Sequence, residues 1–483
     1  MVKYKSDFMD TKIIGRQNEI KRLTELYKSK NAEFVAVCGR RRVGKTFLVK
    51  KLFEDKIIFD LAGLANAKTA EQLENFSLTL NRCFEQSLPI PPNWLTAFEQ
   101  LISLLSKSKK KRKVIFIDEI SWLDTARSNF LMALEHFWNG WASTRDDIML
   151  IICGSATSWI TNKIINNHGG LHNRLTAKFF LQPFNLCETE LFFKSKKITL
   201  GRYEIAESYM IFGGIPYYLN MFERGVSLSQ NVDNICFVQN PKLDNEFKNL
   251  YASLFKNSEK YIEIVSALNA KNKGLTRNEI IAITKISGRE LTTILKNLES
   301  CGFIRSYNSL YKKRRDRLFQ LLDSYSLFYF KFLKNRTEND EHFWTNTINM
   351  PQQNTWAGYA FEILCLQHIN EIKHSLGILG IQSNVYAWAS EKNDNHNGCQ
   401  IDLLIDRKDG VIDICEMKFY RTKYILSSDD ADILLNKIAV FQHETKAEKA
   451  IHLVIISTLG LVQNKHSGIV QKEVKLDDLF YYI

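Results

Sequence analysis

Proline is scarce in this sequence, with seven in 483 residues, and the 22 glycines are scattered. No segment therefore reads as a low-complexity linker, and any domains must be joined by helices or short loops. No apolar run approaches the roughly 18 residues that a membrane-crossing helix needs. The N-terminal MVKYKSDFMD lacks the apolar core of a signal peptide. Nine cysteines (Cys38, Cys83, Cys153, Cys187, Cys236, Cys301, Cys365, Cys399 and Cys415) form no C-x-x-C pair and no zinc-like Cys/His spacing. These absences exclude a zinc module, a disulfide scaffold and a membrane span, and they predict reduced thiols in a soluble cytoplasmic chain.

What is present points to several folded domains. A single core rarely grows far beyond about 250 residues, whereas this chain has 483. Hydrophobic residues at 45% and charged residues at 24% are ordinary globular values, so most of the chain should fold. A formal charge of +12 suits a phosphate-bearing partner, because neutralised phosphates release counterions. A lysine-rich composition with no bearing on ligands accounts for the same charge.

The most informative segment is GRRRVGKT, residues 39–46, which fits G-x-x-x-x-G-K-[ST] and follows the apolar run 34–38. In that strand, loop, helix order the amides of Gly39, Arg40, Arg41, Arg42, Val43 and Gly44 cradle phosphates. Lys45 reaches the β and γ oxygens, Thr46 ligates Mg²⁺, and Phe47 follows in the same loop-to-helix segment. Downstream, VIFIDE at 114–119 reads as a buried parallel strand ending in two acids. Asp118 suits the hold on Mg²⁺ and Glu119 the general base on the attacking water. Another apolar strand, 148–153, leads to Ser155, a candidate γ-phosphate sensor and equally a helix N-cap. In HGGLHNR, residues 168–174, Arg174 reads as an arginine finger acting in trans, which would require a homo-oligomer, or as a solvated charge.

The segments IIGR (13–16), GRRRVGKT, VIFIDEISWLD, IICGSATSWI, GGLHNR and FGGIP (212–216) together resemble the archaeal-type ATPases at the AAA+/STAND border, whose C-terminal part is called DUF234. The resemblance spans essentially the whole chain. It implies that Ile14, Gly15 and Arg16 approach the adenine and ribose of ATP, that Asp118 and Glu119 form the Walker B pair, and that 212–216 lie in a helical lid. No arginine in that last motif offers a lid sensor.

From 188 to 256 the apolar spacing is helical, as a lid bundle requires. Residues 260–323 read as helices 261–270, 276–284 and 287–300 followed by the strands FIRSY and RLFQLLD, the order of a winged helix. Its third helix could enter a DNA groove and its basic hairpin tip, 311–317, could meet phosphates; packing alone is the other reading. The basic run 107–113 reads as a solvated loop.

Farther on, QIDLLI (400–405), DRKDG (406–410) and VIDICEMK (411–418) form a hairpin pattern centred on Asp409, which sets Asp402 opposite Glu416, with Lys418 on the face of Glu416. The arrangement resembles the PD-(D/E)xK nuclease core, in which the resemblance makes Asp402 and Glu416 ligands of Mg²⁺, Lys418 the residue that orients water, and Glu362 the acid on the preceding helix. Gln400 departs from that pattern where related proteins carry an acid. Asp413 reads as a strand-end surface residue.

The sequence therefore predicts an α/β chain: a P-loop AAA+-type ATPase core (1–187) with a parallel sheet, a helical lid (188–256), a winged helix (257–335) and a restriction-endonuclease-like α/β domain (336–483). Its expected activity is ATP hydrolysis with ATP and Mg²⁺, acting on or regulated by DNA, with a metal-dependent nuclease domain. The alternatives are a nucleotide-controlled switch or scaffold with a silent C-terminal domain that engages a protein partner or DNA, and a DNA-binding regulator.

Overall fold

The computed structural model describes residues 13–155, 157–165, 169–171, 173–255, 257–308, 310, 317–336, 340–390 and 398–482. The chain divides into two compact units, Met1–Gln182 and Pro183–Ile483. The basic hairpin tip at 311–316 and the histidines at 168 and 172 lie outside the described residues.

The first unit is built on five strands, β1 (Glu33–Cys38), β2 (Ile57–Ala62), β3 (Lys113–Asp118), β4 (Ile148–Gly154) and β5 (Ala177–Phe180). All pair in parallel, in the order β2-β3-β4-β1-β5. The three inner strands are buried at every position, which is why EFVAVC, KVIFID and IMLIICG carry continuous apolar runs where an exposed sheet would alternate. Helices Thr69–Phe84, Trp94–Lys107 and Phe130–Gly140 supply an aromatic layer over one part of this core. Trp94 meets Phe130 edge-on at 4.9 Å, and Phe98 stacks on Phe137 at 5.1 Å. The amide cap of Asn93, accepting from the Thr96 N–H at 3.0 Å, fixes where Trp94–Lys107 starts.

The run 107–113 corrects the sequence reading in its last two residues. The Arg112 guanidinium donates to the carbonyls of Asn31 (2.8 Å), Asp146 (2.6 Å) and Leu26 (3.1 Å), and Lys113 is a buried strand residue paired with Asp147 at 2.5 Å. Lys107 is exposed but ends the preceding helix, and Lys109, Lys110 and Lys111 form the solvated loop. Composition alone does not reveal that strand β3 begins inside the charge run.

In the second unit helices lead into two sheets. Three helices, Ser258–Asn269, Arg277–Thr284 and Gly288–Ser300, precede an antiparallel sheet of β6 (Leu275–Thr276), β8 (Leu318–Leu321) and β7 (Ile304–Tyr307). The second sheet orders as β13-β12-β11-β10-β9, from β9 (Ser383–Ser390), β10 (Cys399–Arg407), β11 (Val411–Lys418), β12 (Ala450–Ser457) and β13 (Lys472–Lys475). Pairing is antiparallel from β9 to β11 and parallel from β11 to β13. Ile412 and Ile414 of β11 join Leu434 and Phe441 of helix Ser428–Thr445 in the core on one face. Asp413 points the other way and is buried, not a surface residue as its sequence position implied. It sits 3.5 Å from Arg407 and 3.7 Å from His452, and burial raises its pKa, partly opposed by these two neighbours. No helix among the described residues is long and apolar enough to cross a membrane.

The helical stretch containing Glu362 is interrupted at His368, which separates Pro351–Gln367 from Ile369–Ser375. That imidazole ties two parts of the unit together. Its Nε2 accepts the Leu186 N–H at 3.1 Å, so Nδ1 carries the proton and donates to the Leu364 carbonyl at 2.8 Å. Burial pushes its pKa down to about 4, partly opposed by the Leu364 bond. A histidine depressed from about 6.5 contributes stability that is complete above that value and is lost as pH falls toward 4. The unit is therefore expected to lose about 3 kcal/mol between those limits from this residue alone. A series of thermal melts against pH checks it: His368→Gln should flatten the slope in that window, and an unchanged slope would exclude this histidine as its source.

Candidate functional site

The carboxyl ends of β1, β3 and β4 meet where the strand order reverses, the position at which open parallel sheets expose a crevice to ligands. After β1 the chain turns through residues 39–44 and enters helix Lys45–Leu52. Gly39 has a φ of 147°, and a Cβ there would lie 2.4 Å from the Leu181 carbonyl oxygen; Gly44, at a φ of 90°, starts the helix in a left-handed conformation. Both positions require glycine for backbone reasons alone. The buried Lys45 ammonium donates to the carbonyls of Gly39 (2.9 Å) and Arg40 (2.8 Å), which folds it back over the loop. Arg16, also buried, donates to the Val43 carbonyl at 3.2 Å and so fastens the 13–16 segment to the loop. Arg40 and Val43 are buried, Ile14 and Arg42 half-buried, and Gly15 buried, while Arg41 and Phe47 are exposed.

At the end of β3, Asp118 Oδ2 accepts from the Thr46 hydroxyl at 2.7 Å, and its Oδ1 accepts from the Glu119 N–H at 2.9 Å. Glu119 lies one step beyond the strand with a φ of 44°, a left-handed turn that aims its side chain across the end of β4. There the Ser155 hydroxyl donates to its two carboxylate oxygens at 3.2 and 3.0 Å. Ser155 thus commits its hydroxyl to Glu119. The structure brings Lys45, Thr46, Asp118, Glu119 and Ser155 together at adjacent strand ends. Arg174 stands exposed near the end of the connection from β4 to β5, its Nε 3.5 Å from the Gly170 carbonyl.

The donor set beside the loop fits Mg²⁺. Hard oxygens from a hydroxyl and a carboxylate sit 2.7 Å apart, next to a helix N-terminus suited to phosphates.

A second cluster lies in the sheet of the second unit. The β10/β11 register pairs Leu403 with Cys415, so Asp402 and Glu416 face each other one step farther along. Helix Pro351–Gln367 packs on β11 and carries Glu362 to the same place. Burial first, then the charges of Asp402 and Glu416, raises Glu362 to about 8; Asp402 is likewise raised by burial. Glu416 is held low against burial by Lys437 and Lys418. The Lys418 ammonium sits 3.0 Å from Glu416 Oε1, and Lys437 donates to Oε2 at 2.8 Å. The Gln400 amide donates to Asp402.

Lys437 escapes a reading of the sequence alone. Its signal is positional: on helix Ser428–Thr445 it stands three residues after buried Leu434 and four before buried Phe441, so a lysine occupies the apolar stripe. With an ammonium against each oxygen of Glu416, this cluster does not fit Mg²⁺ as arranged.

Residues 13–222 match the model of a family described as an ATPase domain predominantly from Archaea, a span that continues past the first unit through the helices Leu186–Ser195 and Arg202–Phe212. Over 400 residues the chain is 25% identical to an uncharacterised protein of Methanocaldococcus jannaschii, covering 81% of this chain and 83% of that one. Among solved structures it is similar to a Walker-type ATPase of Pyrococcus abyssi, with a TM-score of 0.47 and 16% identity over 66% of this chain and 96% of that one. It is also similar to the ORC2 protein of Aeropyrum pernix, with a TM-score of 0.42 and 12% identity over 73% and 95%. The N-terminal part of the chain carries an ATPase domain of the archaeal type.

Proposed function

We propose that this chain is an Mg-ATP-dependent ATPase that acts on, or is regulated by, nucleic acid. The observation that carries the ATPase reading is the junction at the strand ends: Thr46 bonded to Asp118 at 2.7 Å, with Glu119 held beside it by Ser155. Thr46 and Asp118 would hold Mg²⁺, which supplies charge neutralisation for the β and γ phosphates. Lys45 exchanges its two carbonyl partners for phosphate oxygens, and Glu119 takes the proton of the attacking water. Ser155 orients the Glu119 carboxylate before nucleotide arrives and then turns its hydroxyl to the γ-phosphate as its sensor. Arg174, exposed and lightly held, is the residue we assign to a neighbouring copy's nucleotide. Residues 188–256 act as the lid, 257–335 as a winged helix and 336–483 as a nuclease-like domain.

The nucleic-acid part of this reading rests on helix Gly288–Ser300. It buries Leu291, Ile294, Leu295 and Leu298 and exposes Arg289, Thr292, Thr293 and Lys296 on the other side, a face equipped for phosphates and base edges. Exchanging Arg289 and Lys296 for Ala should weaken binding of a fluorescein-labelled DNA duplex. The slope of log affinity against log salt should also fall by about 2, near 0.9 for each phosphate that is no longer neutralised. Wild-type protein that binds no duplex at low salt, or variants with an unaltered slope, would remove DNA from this face.

For the C-terminal domain one observation favours the second reading, a nucleotide-controlled switch whose nuclease-like cleft is silent: Glu416 is clamped by two lysines. In that reading ATP binding and hydrolysis set the state of the molecule, and the cleft serves binding.

A further inference from the structure

We infer that Lys437 is the resident cation of the Glu362/Asp402/Glu416 cleft, its ammonium taking the place that a divalent metal ion holds in an active nuclease of this pattern. The inference rests on reading the β10/β11 hairpin as nuclease-like, and it explains why such a cleft would be silent.

Geometry comes first. A metal ion held by Asp402 and Glu416 needs an approach to each carboxylate that no other cation occupies, and both oxygens of Glu416 already face an ammonium: Lys418 lies 3.0 Å from Oε1 and Lys437 2.8 Å from Oε2. Lys418 belongs to the ExK pattern and is compatible with a metal site; Lys437 is the addition. It comes from a different element, helix Ser428–Thr445, which is locked onto the sheet by Leu434 and Phe441 on either side of it along the same stripe. A lysine so placed does not swing away as a surface lysine does, because the helix that carries it is fixed by its own core contacts.

Charge gives the same answer. The three carboxylates face three cations, Lys418, Lys437 and Arg305, whose charge acts on Asp402, so the cleft is balanced without a metal ion. A divalent ion added to this arrangement would overshoot. Without Lys437 the cleft is left with a net negative charge, which draws a cation. Lys437 is also the first cation to offset the burial and mutual repulsion of each of the three acids. Gln400 acts in the same direction, supplying an amide donor to Asp402 where an acid would have added a metal ligand.

The test is calorimetric titration of Mn²⁺ alone into the nucleotide-free full-length chain, for wild type, Glu416→Gln, Lys437→Met, Lys437→Gln and Lys437→Met/Glu416→Gln. Any binding near Asp118 is common to all five and cancels in the differences. Expected is a new stoichiometric site in both Lys437 single variants, at least about tenfold tighter than anything in wild type, which Glu416→Gln abolishes; removing one buried charge partner of a carboxylate is worth that much. Wild-type Mn²⁺ binding that a Glu416→Gln variant removes would overturn the inference while leaving a nuclease-like metal site standing. Folded Lys437 variants, checked by thermal melting, that gain no site would overturn both. If Lys437→Met does not fold, Lys437→Gln, which keeps the length and a hydrogen-bond donor without the charge, decides alone.

Discussion

Replacing Glu119 by Gln is expected to leave ATP bound and slow its hydrolysis by about 10²- to 10⁴-fold, the range a positioned general base contributes. The amide keeps the size of the carboxylate and can still accept from the Ser155 hydroxyl, which reaches both oxygens of Glu119. The left-handed turn at Glu119, with its φ of 44°, should therefore survive the exchange. What disappears is the capacity to take a proton from water. Single-turnover release of phosphate, alongside binding of a fluorescent ATP analogue, separates the two effects. Normal turnover in the variant would assign the base elsewhere, and a parallel loss of binding would mean that the substitution disturbed the loop.

Lys45→Ala acts on the earlier step. In this structure the ammonium is buried and satisfied by the carbonyls of Gly39 and Arg40. Those bonds pre-place it over the loop, so little ordering cost remains when phosphates arrive. Truncation removes a charge-assisted pair inside a desolvated site, and ATP affinity should drop on the order of 10²- to 10³-fold. Equilibrium binding of the same analogue measures it. Thermal melting of the nucleotide-free variant guards against misfolding, since two loop carbonyls lose their donor. Affinity within a few-fold of wild type would deny Lys45 a place against the phosphates.

The gathering of Lys45, Thr46, Asp118, Glu119 and Ser155 was legible because each stands at a fixed offset from an apolar strand, and parallel strands deliver their carboxyl ends to one edge. The β10/β11 hairpin was legible for a similar reason: its register follows from a turn centred on Asp409. Sequence could not reveal side chains recruited across elements. Lys437 meets Glu416 from a helix 21 positions away, and His368 meets Leu186 across 182. Asp413 was misplaced because strand alternation says only that it faces away from Glu416; whether that face is wet depends on Arg407 and His452 arriving there.

The sheet order has a consequence for the time at which the nucleotide crevice comes into being. β1 pairs with β4 and β5 and not with β2, so the strand that carries the phosphate loop has no partner until the chain has been extended to about Gly154. During synthesis more than a hundred residues emerge behind it while both edges of the apolar EFVAVC segment are open to stray pairing. β2 and β3 can pair before then, but they form only the flank. The strand that leads to Ser155 is therefore also the keystone of assembly, and a ribosome pause or a truncation before it leaves an exposed, sticky β1 instead of a partly working ATP site.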